Sequence, residues 1–457
     1  LIGYRIRFET AISANTRLEV ITEGILTRML HSDNALEDVG LVIFDEFHER
    51  NLHSEVALAL IREVQQVLRP DLRILLMSAT IDAKVLSGML KSTVIESKGR
   101  QYPVEVNYMN ELDEYAIGED TARQIIPLTK VHEGDFLVFL PGQGEIRKAQ
   151  DILRKALPDD LVLPLYGQLS PGDQNRAIRP HPSGKRKIVL STDIAETSLT
   201  IEGVKVVVDS GFAKSSKFDP RSGLSRLVLH RISQDSADQR SGRAGRLTAG
   251  HSYRLWTKAI QNQLNEYRTP ELMEADLTGL VLDMKAWGKQ DIRSMTWLTP
   301  PPTGTLALAE KTLESIEAIV DGELTPHGRE VHKLPTHPRI AHMLINAEEI
   351  EQLGLATDIA AILDERDPLG PDAGVDLNLR IEALRRYRKH DVSIPRIKKI
   401  EKMAASYRRM FSMQPDNSSV DPWQTGLLLA YAYPERIAAA RPGNNAQFQL
   451  ANGKIAQ

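Results

Sequence analysis

Five short runs of continuous β-branched and aliphatic residues, separated by amphipathic stretches, set the first constraint on this chain. They are Leu41-Val42-Ile43-Phe44, Ile74-Leu75-Leu76-Met77, Phe136-Leu137-Val138-Phe139-Leu140, Ile188-Val189-Leu190 and Val204-Lys205-Val206-Val207-Val208. A strand with one wet face alternates apolar and polar residues, whereas a run without alternation has both faces covered. Such runs, spaced by helical segments, predict strands of a parallel sheet layered on both sides by helices. The region from residue 1 to about 258 is therefore expected to be α/β.

Length then asks for more than one core. A chain of 457 residues exceeds what a single core supports and suggests three or four units. Apolar residues make up 42% and charged residues 26%, and no run of about 18 apolar residues offers a membrane span, so no membrane partner is expected. The chain contains no cysteine, which excludes disulfides and thiolate-bound zinc and fits a reducing compartment; the cytoplasm is the expected location. A net charge of −4 decides nothing about nucleic acid, because a basic channel can sit inside an acidic exterior.

In open parallel sheets the ligand crevice lies beyond the carboxyl ends of the strands. Three of the apolar runs end in polar residues: Asp45-Glu46, Ser78-Ala79-Thr80 and Ser191-Thr192-Asp193. Asp45-Glu46, followed by Phe47-His48, has the layout of a Walker B site, in which Asp45 would hold Mg2+ through its water shell and Glu46 would polarise the water attacking a γ-phosphate. Read alone, an acidic pair at a strand end is commonly a solvated corner. The segment Gln239-Arg240-Ser241-Gly242-Arg243-Ala244-Gly245-Arg246 is more specific. Arg243 and Arg246, three residues apart, share a helical face from which both could neutralise charge on a transferring phosphoryl group. Two glycines in a helical turn cost about 1 kcal/mol each relative to Ala, which disfavours a merely solvated basic helix; they are expected to let the backbone come close.

Taken in order, these blocks resemble a superfamily-2 helicase of the DEAH/RHA group, most closely its bacterial HrpB branch. Asp45 to His48 is similar to motif II, with Phe47 where the family usually has Ala. Ser78 to Thr80 is similar to motif III, Ser191 to Thr200 to motif V, and Gln239 to Arg246 to motif VI; Thr22-Glu23-Gly24-Ile25-Leu26 resembles motif Ib and Phe139-Leu140-Pro141-Gly142 motif IV. The resemblance implies two RecA-like lobes, the first incomplete, followed by mostly α winged-helix and helical-bundle domains. It divides the chain into 1–115, 116–257 with a strand-separating β-hairpin near Val208 to Pro220, 258–323, 324–420, and 421–457 as the start of an HrpB-type C-terminal region. It implies that Asp45 and Glu46 serve Mg2+ and water activation, that Gln239, Arg243 and Arg246 face the γ-phosphate, and that His48 links the nucleotide site to the second lobe. Ser78 and Thr80 would couple hydrolysis to lobe movement, and Arg179 stands where the family often places an aromatic against adenine. RNA contacts are expected from Thr22, Gly24, Thr192, Thr197 and Ser198, through amides and hydroxyls that position a strand without reading its sequence.

The resemblance further implies Mg2+ as cofactor with ATP as substrate, and as partner a single-stranded RNA or a structured RNA with a single-stranded tail, moved over 3'-to-5'. Two readings compete: a non-catalytic RNA-binding scaffold and a DNA-directed motor. Residues 380–409 hold eleven Lys or Arg against three acidic residues, with Tyr387 and Tyr407 interleaved, and are a candidate RNA path. No segment fits the phosphate-cradling pattern G-x-x-x-x-G-K-[ST] that such an enzyme needs. Because the chain opens on Leu1 inside a strand-like pattern, an N-terminal truncation is the expected reason, and the final turn-rich segment suggests a C-terminal one.

Overall fold

The computed structural model describes residues 1–6, 9–79, 83–97, 99, 102–196, 199–220, 222–390 and 395–456. Two compact units divide the chain. One comprises Glu37–Ala275 with Thr296–Thr299, the other Leu1–Leu36, Asp276–Met295 and Pro300–Gln457.

The first of these units is α/β. Its main sheet has six strands in the spatial order Val104–Tyr108, Gly250–Arg254, Val204–Asp209, Asp135–Phe139, Lys187–Ser191 and Leu161–Leu165, with every neighbouring pair parallel. The non-alternating runs are explained by its two covered faces. Phe136, Val138, Ile188, Leu190, Val206 and Val208 form one core with apolar residues of the helices Ile117–Val131 and Gln143–Ala156. Their neighbours in sequence, Leu137, Phe139, Val189 and Val207, point the other way into a second core with Leu165, Ala177, Ala195 and Ala244. Lys187, at the start of its strand, is buried as well; its ammonium donates to the carbonyls of Ala177 at 3.1 Å and Arg179 at 2.9 Å, closing the C-terminal end of the helix Pro171–Ile178.

Three expectations need correction. The boundary at 115/116 assigned Val104–Tyr108 to the first lobe, yet this strand pairs with Gly250–Arg254 as the edge of the six-stranded sheet. Leu41–Phe44 and Arg73–Leu76 do pair in parallel, but as a two-stranded sheet with one covered face: Val42 and Phe44 are buried, while Leu41, Ile43 and Leu75 stay exposed. Residues 1–36, expected in the same lobe, cluster with the helical unit. They form a three-stranded sheet of their own, Glu9–Ala11, Ile2–Ile6 and Leu18–Ile21, followed by the helix Glu23–Ser32, whose His31 meets the rings of Trp287 and His332.

The hairpin foreseen after Val208 is present as Phe212–Asp219 and Leu224–Arg231, antiparallel from Phe212 opposite Arg231 to Asp219 opposite Leu224. In the second unit the helices Thr278–Ala286, Thr303–Ser315 and Pro326–Lys333 accompany a small hairpin, Ile319–Val320 with Glu323–Leu324. Its turn places Asp321 and Gly322 both at positive φ, the Asp-Gly pairing that a two-residue hairpin turn favours. A bundle of Pro338–Glu349, Leu353–Asp364, Leu377–His390, Pro395–Met410 and Pro422–Ala432 surrounds its own core, and a short antiparallel sheet closes the chain. Among the described residues no helix is long and apolar enough to cross a membrane.

Four of the eleven cations in the basic run of 380–409, Arg380, Arg385, Arg388 and Arg408, turn inward, and the other seven are exposed. Arg385 and Arg388 both pair with the buried Asp358, Arg388 and Arg408 pair with Glu401, and Arg380 forks onto Asp367. Tyr407 is fully buried, its hydroxyl donating to Asp364, so it cannot stack on a base. Part of the charge that reads as a nucleic-acid stripe in one dimension is here the ionic interior of a bundle.

Phe136 is fully buried at the centre of the main core. Phe136→Ala is expected to cost about 3–5 kcal/mol, read as a lowered denaturant midpoint of the α/β unit.

Candidate active site

Strand ends determine where the acidic pair stands. After Phe44 the chain turns sharply: Asp45 is exposed, and Glu46 adopts the left-handed region at φ 49° and ψ 36°. Its N–H donates to the Asp45 Oδ1 at 2.8 Å, a local bond that orients the Asp45 carboxylate. The turn is fastened to the end of the neighbouring strand, because Phe47 N–H donates to the Met77 carbonyl at 3.0 Å and Met77 N–H to the Phe44 carbonyl at 2.8 Å. Phe47 and His48 are buried beneath it. His48 Nδ1 accepts from Ala79 N–H at 3.2 Å and its Nε2 lies 3.4 Å from Glu46 Oε2. His48 thus joins the acidic pair to the Ser78-Ala79 stretch; among the described residues both partners belong to this first α/β region rather than to the second lobe, where the link was expected.

The arginines come from the helix Gln234–Gly242 and the tighter turn Arg243–Gly245 that continues it. Arg243 Nε donates to the Glu196 carbonyl at 2.8 Å and another guanidinium nitrogen to that of Leu199, while Arg246 donates to Thr200 Oγ1 at 2.7 Å. The Ser191 to Thr200 segment therefore orients both. Burial, joined by the like charge of Arg246, lowers the Arg243 pKa to about 10; Glu196 and Glu46 pull it back up. Arg246 is likewise lowered by burial and opposed by Glu46. Glu46 thus acts through space on both guanidinia, which remain charged at neutral pH. The two glycines differ: a Cβ on Gly245 would meet the Tyr102 carbonyl at 2.6 Å, so close approach is real there, whereas Gly242 faces open space.

Behind this face sits a cluster that the sequence did not single out. Arg240 is fully buried and pairs with Glu196 and Asp209, each at 2.9 Å, with its guanidinium 4.9 Å from the Phe139 ring centroid. Burial alone would lower the Arg240 pKa, but the two carboxylates raise it. Glu196 also receives Ser236 Oγ at 2.8 Å and Arg268. Its carboxyl stays below the ordinary carboxylate value although burial works against that, because Arg240 and Arg268 outweigh it; burial does prevail at Asp209, which is raised. The only sequence signal for Glu196 was its place among the hydroxyl residues read for strand contact, and none marked Arg268.

The remaining expected residues scatter. Ser78 is exposed beyond its strand. Arg179 ends the helix Pro171–Ile178 with an exposed side chain, and no contact ties it to the acidic pair among the described residues. Thr192 lines a cavity of about 380 Å3 with Glu49, Gly167, Asp193, Ile194 and Arg268. A neighbouring cavity of similar volume lies beneath the hairpin, where Lys214 and Lys217 meet Glu145 and Glu274 at 2.9 and 2.6 Å. In the other unit, Thr22 precedes the helix Glu23–Ser32 without a side-chain cap, and Gly24 in its first turn faces open space. Thr80, Thr197 and Ser198 lie outside the described residues. Asp45 and Glu46 offer only hard carboxylate oxygens, the donor type that suits Mg2+.

Comparison with known proteins agrees with this geometry. The DEAD/DEAH box helicase family matches residues 5–87 and the helicase conserved C-terminal domain residues 119–248. The chain is 41% identical over 455 residues to the ATP-dependent RNA helicase HrpB of Escherichia coli, covering 99% of this chain and 54% of that protein. It is 37% identical to the pre-mRNA-splicing factor ATP-dependent RNA helicase prp22 of Schizosaccharomyces pombe, over 79% of this chain and 31% of the relative. The crystal structure of the E. coli DEAH/RHA helicase HrpB superposes with a TM-score of 0.87 at 40% identity, covering all of this chain and 56% of that one. The chain thus spans about half the length of HrpB and about a third of prp22.

Arg240→Leu would leave the buried Asp209 without its cation and Glu196 with Arg268 alone. A loss of about 3–5 kcal/mol is expected in chemical denaturation; a loss under about 1 kcal/mol would remove the cluster's anchoring role.

Proposed function

The chain belongs to the DEAH/RHA group of helicases, and on that premise we propose that it serves an ATP-dependent motor that moves 3'-to-5' along single-stranded RNA or the single-stranded tail of a structured RNA. What supports this reading is the 41% identity over 455 residues to an ATP-dependent RNA helicase, together with an acidic pair fixed at a strand end and Arg243 and Arg246 oriented by the Ser191 to Thr200 segment. A carboxylate that activates water and two cations that stabilise a developing phosphoryl charge are the parts that hydrolysis needs within one site.

Each residue then has a defined task. Asp45 would hold Mg2+, which when bound would supply positive charge against the phosphates. Glu46 orients the attacking water and takes its proton, its position fixed by the left-handed turn and by His48. Arg243 and Arg246, with Gln239, face the γ-phosphate; Ser78 and Thr80 pass the change in occupancy to the neighbouring strand ends. Arg179 contributes its guanidinium plane to the adenine. Thr192 in its cavity, Thr197 and Ser198, and separately Thr22 and Gly24 at the open helix start, contact RNA phosphates and sugars, which supports affinity without sequence preference. The cytoplasm remains the proposed location.

The test is ATP turnover with and without single-stranded RNA, measured on these residues joined to a phosphate-binding loop of the G-x-x-x-x-G-K-[ST] type. RNA-stimulated hydrolysis is expected, and stimulation by DNA alone would redirect the assignment to a DNA motor. RNA binding without turnover would favour a scaffold. Glu46→Gln is expected to abolish turnover while leaving nucleotide affinity within severalfold; undiminished hydrolysis would remove Glu46 from its role. Arg243→Ala should slow hydrolysis about a thousandfold or more if it acts as a finger.

A further inference from the structure

Within the unit that holds the helical domains, three helices bring His31, Asp283 and His332 to one point. His31 stands in the last turn of Glu23–Ser32, Asp283 within Thr278–Ala286, and His332 in the last turn of Pro326–Lys333. His332 Nε2 lies 3.0 Å from Asp283 Oδ1 and His31 Nε2 lies 4.0 Å from the same oxygen. One ligand atom from each residue falls within 4.8 Å of the other two. The two imidazoles meet edge-on with centroids 4.4 Å apart, and Trp287 closes over His31 at 5.6 Å. His31 Nε2 is buried without a hydrogen-bond partner among the described residues. A buried nitrogen left in that state costs about 1–3 kcal/mol, and a single carboxylate oxygen serving His332 does not relieve it.

We propose that His31, Asp283 and His332 form a binding site for a late first-row divalent cation, Zn2+ by donor set, with water in the fourth position. Tetrahedral bonds of about 2.0–2.1 Å to nitrogen and oxygen require ligand atoms about 3.3 Å apart, a spacing bracketed by the 3.0 and 4.0 Å observed here. Two imidazoles with one carboxylate select Zn2+, Co2+ or Ni2+ over Mg2+ and Ca2+, which prefer an all-oxygen shell. The ion satisfies the orphaned His31 nitrogen and the shared Asp283 oxygen together. Its structural effect is to pin the C-terminal end of the helix whose N-terminal end carries Thr22 and Gly24 to the helices Thr278–Ala286 and Pro326–Lys333. This inference does not depend on the helicase reading, since the site is separate from Asp45, Glu46 and the arginines.

The experiment is calorimetric titration of the full, metal-stripped chain with Zn2+ alone, repeated with Co2+ to read the visible absorption of a tetrahedral site. One equivalent is expected to bind at micromolar affinity or tighter, with a raised melting temperature. His31→Ala and His332→Ala should each weaken binding at least about tenfold and abolish the Co2+ spectrum. The near-isosteric Asp283→Asn, which keeps the packing, should do the same, so a folding defect in either histidine variant leaves the question decidable. Absence of saturable binding, or binding unchanged in Asp283→Asn, would overturn the proposal and leave a proton-sharing triad only.

Discussion

The fully buried Arg240, held between Glu196 and Asp209, is the interaction on which the candidate active site depends. Three charges removed from water carry a desolvation cost of several kcal/mol each, recovered only where geometry and hydrogen bonding are good. Here the guanidinium spans Asp209, at the end of the strand Val204–Asp209, and Glu196, which follows the short turn Asp193–Ala195 beyond Lys187–Ser191. The arrangement locks the arginine helix to the carboxyl edge of the sheet. Because the carbonyls of Glu196 and Leu199 then bind Arg243, the position of its guanidinium is inherited from that of Arg240.

Much of this was legible in the sequence because its signals are local and periodic. Non-alternating apolar runs point to burial on both faces, and those in the six-stranded sheet follow that expectation while Leu41–Phe44 and Arg73–Leu76 do not. The acidic pair and the arginine segment were likewise marked by short spacing, and the hairpin by the family resemblance. What stayed hidden was pairing over distance. Val104–Tyr108 has nothing in its composition that names Gly250–Arg254 as its partner, so a boundary drawn from the loop at residues 100–118 fell on the wrong side of it. Arg268 reaches Glu196 only through the fold.

The basic run of 380–409 shows the same limit in electrostatic form. Counting charges along a chain gives a net value but not the counter-charges supplied from elsewhere. Asp358 comes from another helix and is itself buried, with Arg385 and Arg388 closing on it, while Asp416 adds a second acid to Arg385 at 2.9 Å. Burial pushes the Asp358 carboxyl up while the arginines pull it down. The cluster is costly to half-satisfy, so removing one arginine harms the bundle more than its lost attraction for an anion would suggest.

Arg240, near the end of the helix Gln234–Gly242, and Arg243, at the start of the turn that continues it, sit three residues apart and yet are tuned in opposite directions. Two carboxylates hold the pKa of Arg240 above its ordinary value, which is the signature of a charge already compensated within the protein. Arg243 is buried nearly as well, is oriented by two carbonyls and falls to about 10, so its surroundings leave the cation under-compensated. A guanidinium in that condition gains more from an arriving anion than a solvated one does, because the desolvation cost has been met in folding rather than at binding. Arg246, also lowered by burial and relieved by Glu46, extends the same condition over one further turn. On the proposed function, an under-compensated cationic surface beside Glu46 would be preorganised for a transferring phosphoryl group whose negative charge is spread over three oxygens.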